Sequence, residues 1–137
     1  METTFTSIAE KNAELLRKGY VAFNSGDMQT LQELFHPDST WSTPGKSSLA
    51  GIKKGYEGVF GQFGRYGAET HGTFKAILKH VVTNEDGTAV AVQQNTATRN
   101  GKKLDVDCCI HFEIRDGRVI TGREFFFDLH AWDAFWA

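Results

Sequence analysis

Residues 20–45 read YVAFNSGDMQTLQELFHPDSTWSTPG, and this stretch decides the fold: two helices meet at Gly26-Asp27 and feed a strand that carries Trp41. Upstream, Ser7 and Glu10 form a capping box, so a first helix starts near Ile8. Ile8, Leu15, Leu16, Tyr20 and Phe23 recur at helical spacing as an apolar stripe, with Glu10, Lys11, Glu14, Arg17 and Lys18 on the solvent side. Gly26 ends this helix in the left-handed region, and Asp27 caps a second one with Met28, Leu31, Leu34 and Phe35 as its stripe. Pro37 closes the second helix, and after a turn at His36-Pro37-Asp38 the residues Thr40, Trp41 and Thr43 have strand character.

The chain of 137 residues has the size of one domain with a real core, and no linker, repeat or low-complexity tract divides residues 1–137. A formal charge of −2 gives no electrostatic case for nucleic acid or an anionic membrane. No window approaches the roughly 20 apolar residues of a membrane span. The N-terminus METTFTSIAEKN lacks the basic and apolar regions of a leader, so a soluble cytoplasmic protein is expected. Cys108 and Cys109 are adjacent in a strand-like run and point to opposite faces, so they cannot staple distant parts of the chain, and they suit small buried hydrophobes in a reducing compartment better than a vicinal disulfide or a reactive thiol. The five histidines are scattered, and neither a metal nor a cofactor is expected.

From Ile52 to Tyr66 a third helix is expected, with Ile52, Tyr56, Val59, Phe60, Phe63 and Tyr66 inside an arc of roughly 120°. Gly55, Gly58, Gly61, Gly64 and Gly67 weaken it, each costing about 0.5 to 1 kcal/mol relative to alanine in a helix interior. Either tertiary packing of the aromatics holds this helix, or it is a mobile wall that admits a ligand. The second half reads as strands over 72–83, 88–99, 103–115 and 119–129, turned at Asn84–Gly87, Asn100-Gly101 and Asp116-Gly117. In the third of these, Val106, Cys108, Ile110, Phe112 and Ile114 alternate with Asp105, Asp107, Cys109, His111 and Glu113, so one face is apolar and meets the helices.

These residues carry a family resemblance. Tyr20-x-Ala22-Phe23-x-x-Gly26-Asp27, Leu34-Phe35-x-x-Asp38-x-x-Trp41-x-x-Pro44-Gly45, Ala50-Gly51 with Gly55, Asp116-Gly117-Arg118-Val119 and Phe126-Phe127-Asp128 resemble the SnoaL-like members of the nuclear transport factor two-like superfamily. That resemblance implies an α+β, cone-shaped fold, with three N-terminal helices on a strongly curved, mixed but mainly antiparallel sheet and a short C-terminal helix. It fixes no reaction, because the fold also hosts ketosteroid isomerases, epoxide hydrolases, polyketide cyclases and proteins without catalytic activity.

Compared residue by residue, the resemblance shows departures. Where the isomerases carry their aspartate base this chain has Thr43, and where they carry a protonated aspartate it has Ile110. Their oxyanion tyrosine falls near Gly19, and Tyr20, one residue on, points about 100° away around the helix. The charged pair of the epoxide hydrolases is replaced near Gln93. Cyclases need little beyond one acid-base carboxylate in an apolar cavity, and Asp128 is the candidate, with His130 beside it; capping of the last helix or pairing with Arg123 are the other uses for Asp128.

The expected cavity is lined by Tyr20, Trp41, Tyr56, Phe60, Phe63, Phe126 and Trp132, with Thr43, Gln94 and Asp128 as polar points, which suits a small, largely apolar molecule bearing one or two oxygens. The aromatic tail, Trp132, Phe135 and Trp136, closes the core or covers the cavity mouth. Two functions remain open: an isomerase or cyclase type of enzyme, and a non-catalytic ligand-binding or assembly domain. Either one is expected as a homodimer through the outer sheet face.

Overall fold

Ser7 and Asp27 act as the sequence leads one to expect: Ser7 Oγ accepts the Glu10 amide and Asp27 Oδ1 the Thr30 amide, which starts helix α1 over Ile8–Ser25 and helix α2 over Met28–Glu33. Between them Gly26 takes φ 76°, and its amide closes back onto Ala22 and Phe23. The computed structural model describes residues 7–137; the leader-free reading of the N-terminus rests in part on residues 1–6, outside those described.

Six strands follow: β1 Phe35–Thr43, β2 Gly51–Lys54, β3 Lys75–Thr83, β4 Thr88–Arg99, β5 Lys102–Arg115 and β6 Arg118–Phe126. Helix α3, Gly55–Glu69, lies between β2 and β3, and α4, Leu129–Trp136, ends the chain. The strands form one mixed sheet in the order β2-β1-β6-β5-β4-β3, antiparallel throughout except where β1 runs parallel to β6. The fold is α+β, with α1 against β3 and α3 against β1. The core fills the space between the helices and the apolar sheet face, where Val106, Cys108, Ile110, Phe112 and Ile114 are all buried. Among the described residues no helix is long and apolar enough to cross a membrane.

Three local expectations are corrected. Phe35 belongs to β1 rather than to the second helix, because α2 closes at Leu34 and the strand bulges past His36-Pro37 before it pairs again at Thr40. Ile52 is a strand residue, 64% exposed: Gly51 and Gly55, with φ of 109° and 70°, bracket a short edge strand before the helix can begin. The last strand ends at Phe126, not near Leu129, because Asp128 caps α4.

One irregularity matters more than the others. The Asp116-Gly117 turn pairs Ile114 with Val119, but the next pair is Glu113 with Thr121, so one extra residue enters β6 at Ile120. Beyond the bulge the faces exchange, and Gly122, Glu124 and Phe126 turn inward while Arg123 and Phe125 turn out.

Candidate functional site

The bulge delivers a carboxylate to the core. Glu124 is 4% exposed, and three donors converge on its Oε1: the Trp41 indole Nε1 at 3.0 Å, the Thr43 hydroxyl at 2.6 Å and the Tyr66 hydroxyl at 3.2 Å. Their orientation is enforced from behind. Gln62 on α3 donates one amide hydrogen to Thr43 Oγ1 at 2.7 Å and the other to Tyr66 at 2.8 Å. Each hydroxyl has one proton, and since it already accepts from Gln62 that proton goes to Glu124. Among the described residues no donor reaches Glu124 Oε2, which leaves this oxygen available to the cavity.

The indole is held as firmly. Trp41 pairs with Gly122 in the parallel ladder, and its ring lies across that residue so closely that a Cβ on Gly122 would overlap it. Phe63 meets the other side edge-on, with ring centroids 4.9 Å apart. Tyr66 stacks on Phe74 at 4.8 Å, which fixes the ring that carries its hydroxyl.

Burial sets the chemistry of this group. Desolvation pushes the Glu124 carboxyl up from its ordinary 4.5 to about 7, and the hydrogen bonds from Thr43, Trp41 and Tyr66 pull against it. A carboxyl balanced near neutrality can both take and return a proton. Tyr66 stays protonated, since burial and then the neighbouring Glu124 charge push its hydroxyl well above the usual range. Tyr20 behaves likewise, raised first by burial and then by Cys108, Glu124 and Cys109.

Glu124 looks into a cavity of about 60 Å³, walled by Leu15, Leu16, Phe23, Leu31, Leu34, Phe35, Trp41, Phe63, Phe74 and Phe112 among others. Its polar points besides Glu124 and the Trp41 and Tyr66 groups bonded to it are Tyr20 and Gln93, whose side chains hydrogen-bond to each other. At about 10 to 15 Å³ for each water, this space holds on the order of four waters, so an aromatic ligand has to displace part of the lining.

The structure gathers some of the expected residues here and not others. Tyr20, Trp41 and Phe63 line the cavity, and Thr43 stands directly behind Glu124. Gly19 and Tyr20 both face the space, so the residue of offset along α1 does not turn the Tyr20 hydroxyl away. Tyr56 instead donates to the Phe35 carbonyl at 3.0 Å, and Phe60 packs on Phe35. Gln94 sits on the outer face bonded to Asp105, because strand alternation turns its neighbour Gln93 inward. Phe126 and Trp132 stack on each other with centroids 4.0 Å apart, and Trp132 is fully buried on the inner side of α4, which makes the aromatic tail a core closure.

Asp128 and His130 are exposed and lie outside the cavity lining. The Asp128 carboxylate accepts the Ala131 amide at 3.0 Å as the cap of α4, the use a carboxylate has at a helix start. Glu124 was the residue that sequence reasoning missed. Pairing outward from the Asp116-Gly117 turn without the bulge puts Thr121 and Arg123 inside and Glu124 outside.

The SnoaL-like domain family matches residues 16–121 of this chain. The Uncharacterized protein Rv0034 of Mycobacterium tuberculosis is 35% identical over 128 residues, spanning 93% of this chain and 98% of that protein. The solved structure of Bal32a, from a soil-derived mobile gene cassette, superposes with a TM-score of 0.92 at 60% identity, covering 94% of this chain and 98% of Bal32a. An NTF2-like protein of Burkholderia pseudomallei gives a TM-score of 0.82 at 18% identity over 93% of this chain and 98% of its own, a likeness of fold.

Proposed function

The chain belongs to the SnoaL-like domain family, and from that premise we propose that it is a cofactor-independent enzyme of the isomerase or cyclase type, with Glu124 moving a proton on a small, largely apolar, oxygen-bearing molecule. The observation that carries this reading is a fully buried carboxyl, poised near pH 7, beside an aromatic cavity and held on one oxygen by three donors. Glu124 takes the part assigned to Asp128 on sequence grounds. Its Oε2 accepts a proton from an acidic C–H and returns it to another position, while Trp41, Thr43 and Tyr66 stabilise the anion between turnovers. Thr43 stands where related isomerases carry their base, and here it tunes a base supplied by the neighbouring strand.

The test needs no knowledge of the natural substrate. The flat bicyclic ketone 2-indanone, incubated with the protein in deuterated buffer, is expected to exchange its α-hydrogens faster than in buffer alone, read by proton NMR. Glu124→Gln is expected to abolish the acceleration. Binding without exchange in the wild type supports the second reading, a non-catalytic ligand-binding domain.

Homodimerisation through the outer sheet face belongs to the same proposal and is supported by Phe125, 49% exposed beside Cys109 on that face. Static light scattering that returns a monomer at micromolar concentration removes it. Cytoplasmic residence is supported by the two cysteines, both free thiols.

A further inference from the structure

A buried chain of amides runs away from the cavity behind Tyr20. The Tyr20 hydroxyl donates to Gln93 Oε1, and Gln93 Nε2 donates to Asn95 Oδ1 at 2.6 Å. Residues 93 and 95 are successive inward positions of β4, and Asn95 is fully buried. The chain then stops at Asn95 Nδ2, which has no partner among the described residues. A buried donor without a partner is destabilising and calls for an explanation.

Cys108 supplies one. It faces Gln93 across the β4–β5 ladder and is fully buried. Burial and the Glu124 charge push its thiol up, so it keeps its proton, and the Asn95 amide sits near enough to pull against them, although no hydrogen bond between the two is closed. An amide presents its oxygen and nitrogen in nearly the same shape, so turning both amides over changes donors into acceptors without changing the packing. In the reversed chain the Cys108 thiol donates to Asn95 Oδ1, Asn95 Nδ2 donates to Gln93 Oε1, and Gln93 Nε2 donates to the Tyr20 oxygen. The Tyr20 proton is then free to point into the cavity.

We propose that Cys108, Asn95 and Gln93 form a two-way relay that decides whether Tyr20 accepts or donates inside the cavity, and that a ligand with a carbonyl oxygen reverses it. This rests on the reading of Glu124 as the base and narrows its substrate to carbonyl compounds with an acidic α-hydrogen. In the step itself the α C–H bond breaks, its proton goes to Glu124 Oε2, the electron pair forms the new C=C bond, and the carbonyl pair moves onto oxygen. Tyr20 donates a hydrogen bond to that oxygen without giving up its proton. Gln93, Asn95 and Cys108 touch no substrate and act as positioning residues.

The experiment compares binding of 2-indanone with that of indane, its hydrocarbon counterpart, by calorimetry, so that turnover is not involved. Wild type is expected to prefer the ketone by roughly fivefold, the ratio one neutral hydrogen bond supplies, and Tyr20→Phe to lose that preference. Gln93→Met, which removes the acceptor that holds the Tyr20 proton, is expected to keep or raise the preference; a merely structural role for Gln93 predicts a loss alongside Tyr20→Phe. Cys108→Ser, a stronger donor of similar size, is expected to raise the preference and Cys108→Ala to lower it. The carbonyl stretch of bound 2-indanone follows the same order by infrared spectroscopy, lowest where Tyr20 donates. No preference for the ketone in wild type, including failure of both compounds to bind, overturns the relay, as do equal effects of the two Cys108 variants. Ketone preference that follows this order without α-hydrogen exchange leaves the relay standing and removes the proton-transfer reading.

Discussion

Replacing Glu124 by glutamine tests the buried carboxyl through stability, independently of any substrate. The folded protein holds this group at about 7 against an ordinary 4.5. Between those values the folded state keeps a proton that the unfolded chain releases, so the contribution of Glu124 to stability is fully present below 4.5 and is lost as pH rises through about 7. At about 1.4 kcal/mol for each pH unit, the gap amounts to about 3 kcal/mol. Glutamine fills the same space, its oxygen can accept from Trp41, Thr43 and Tyr66, and it does not titrate. The stability of Glu124→Gln relative to wild type is therefore expected to rise by about 2 to 3 kcal/mol between pH 5 and pH 8, measured by urea denaturation at both values. Other ionisations are common to the two proteins and cancel in the difference. A difference that stays the same at both pH values refutes the reasoning, because it means that Glu124 releases its proton in the folded state as easily as in the unfolded one.

Thr43→Val removes one donor from the Glu124 carboxylate and strands a Gln62 amide hydrogen, so the alkaline shift of the pH–exchange profile is expected together with a loss of about 1 to 3 kcal/mol in denaturation. Gly122→Ala drives a methyl group into the Trp41 ring; a loss of about 1 to 3 kcal/mol is expected, with a changed tryptophan emission and slower ketone exchange, and an unaltered spectrum sinks the positioning role of Gly122. Gly61, Gly64 and Gly67 on α3 have open space where a Cβ would go. Alanine at each is expected to raise stability by about 0.5 to 1 kcal/mol, and if α3 opens to admit ligand the triple variant takes up 2-indanone more slowly in stopped-flow fluorescence.

Much of the fold was legible because its signals are local. The Ser7 and Asp27 caps, the Gly26 corner and the Asn100-Gly101 and Asp116-Gly117 turns each act within four residues, and every one of them appears in the structure. Strand β5 announces its faces by plain alternation. Strand β2 was hidden because its four residues, three of them exposed, carry no periodicity, and its pairing partners Thr40 to Thr43 lie on another strand. The start of β1 was obscured by Pro37, which local rules read as a terminator and which the sheet accommodates in a bulge.

The site was legible only in part, for a different reason. Tyr20, Trp41 and Phe63 were found because aromatics on an apolar stripe point inward whatever the register. Glu124 was passed over because a polar residue on a strand is assigned by counting from its turn, and counting fails by one face for every bulge, whereas Gln94 was preferred to Gln93 on a strand that pairs with β5 in unbroken register. A single inserted residue at Ile120 turns Glu124 from a surface charge into the carboxyl at the centre of the core. Such a placement is unfavourable by itself, since desolvation is the largest influence on this group. The fold tolerates it by committing Trp41, Thr43, Tyr66 and, behind them, Gln62 to one of its oxygens. Three side chains from one strand and one helix around one oxygen, with Gln62 behind them and the second oxygen left toward a cavity, form an arrangement that packing alone does not require. A leucine at position 124 would satisfy packing better, so the carboxyl is best explained by the proton it can carry.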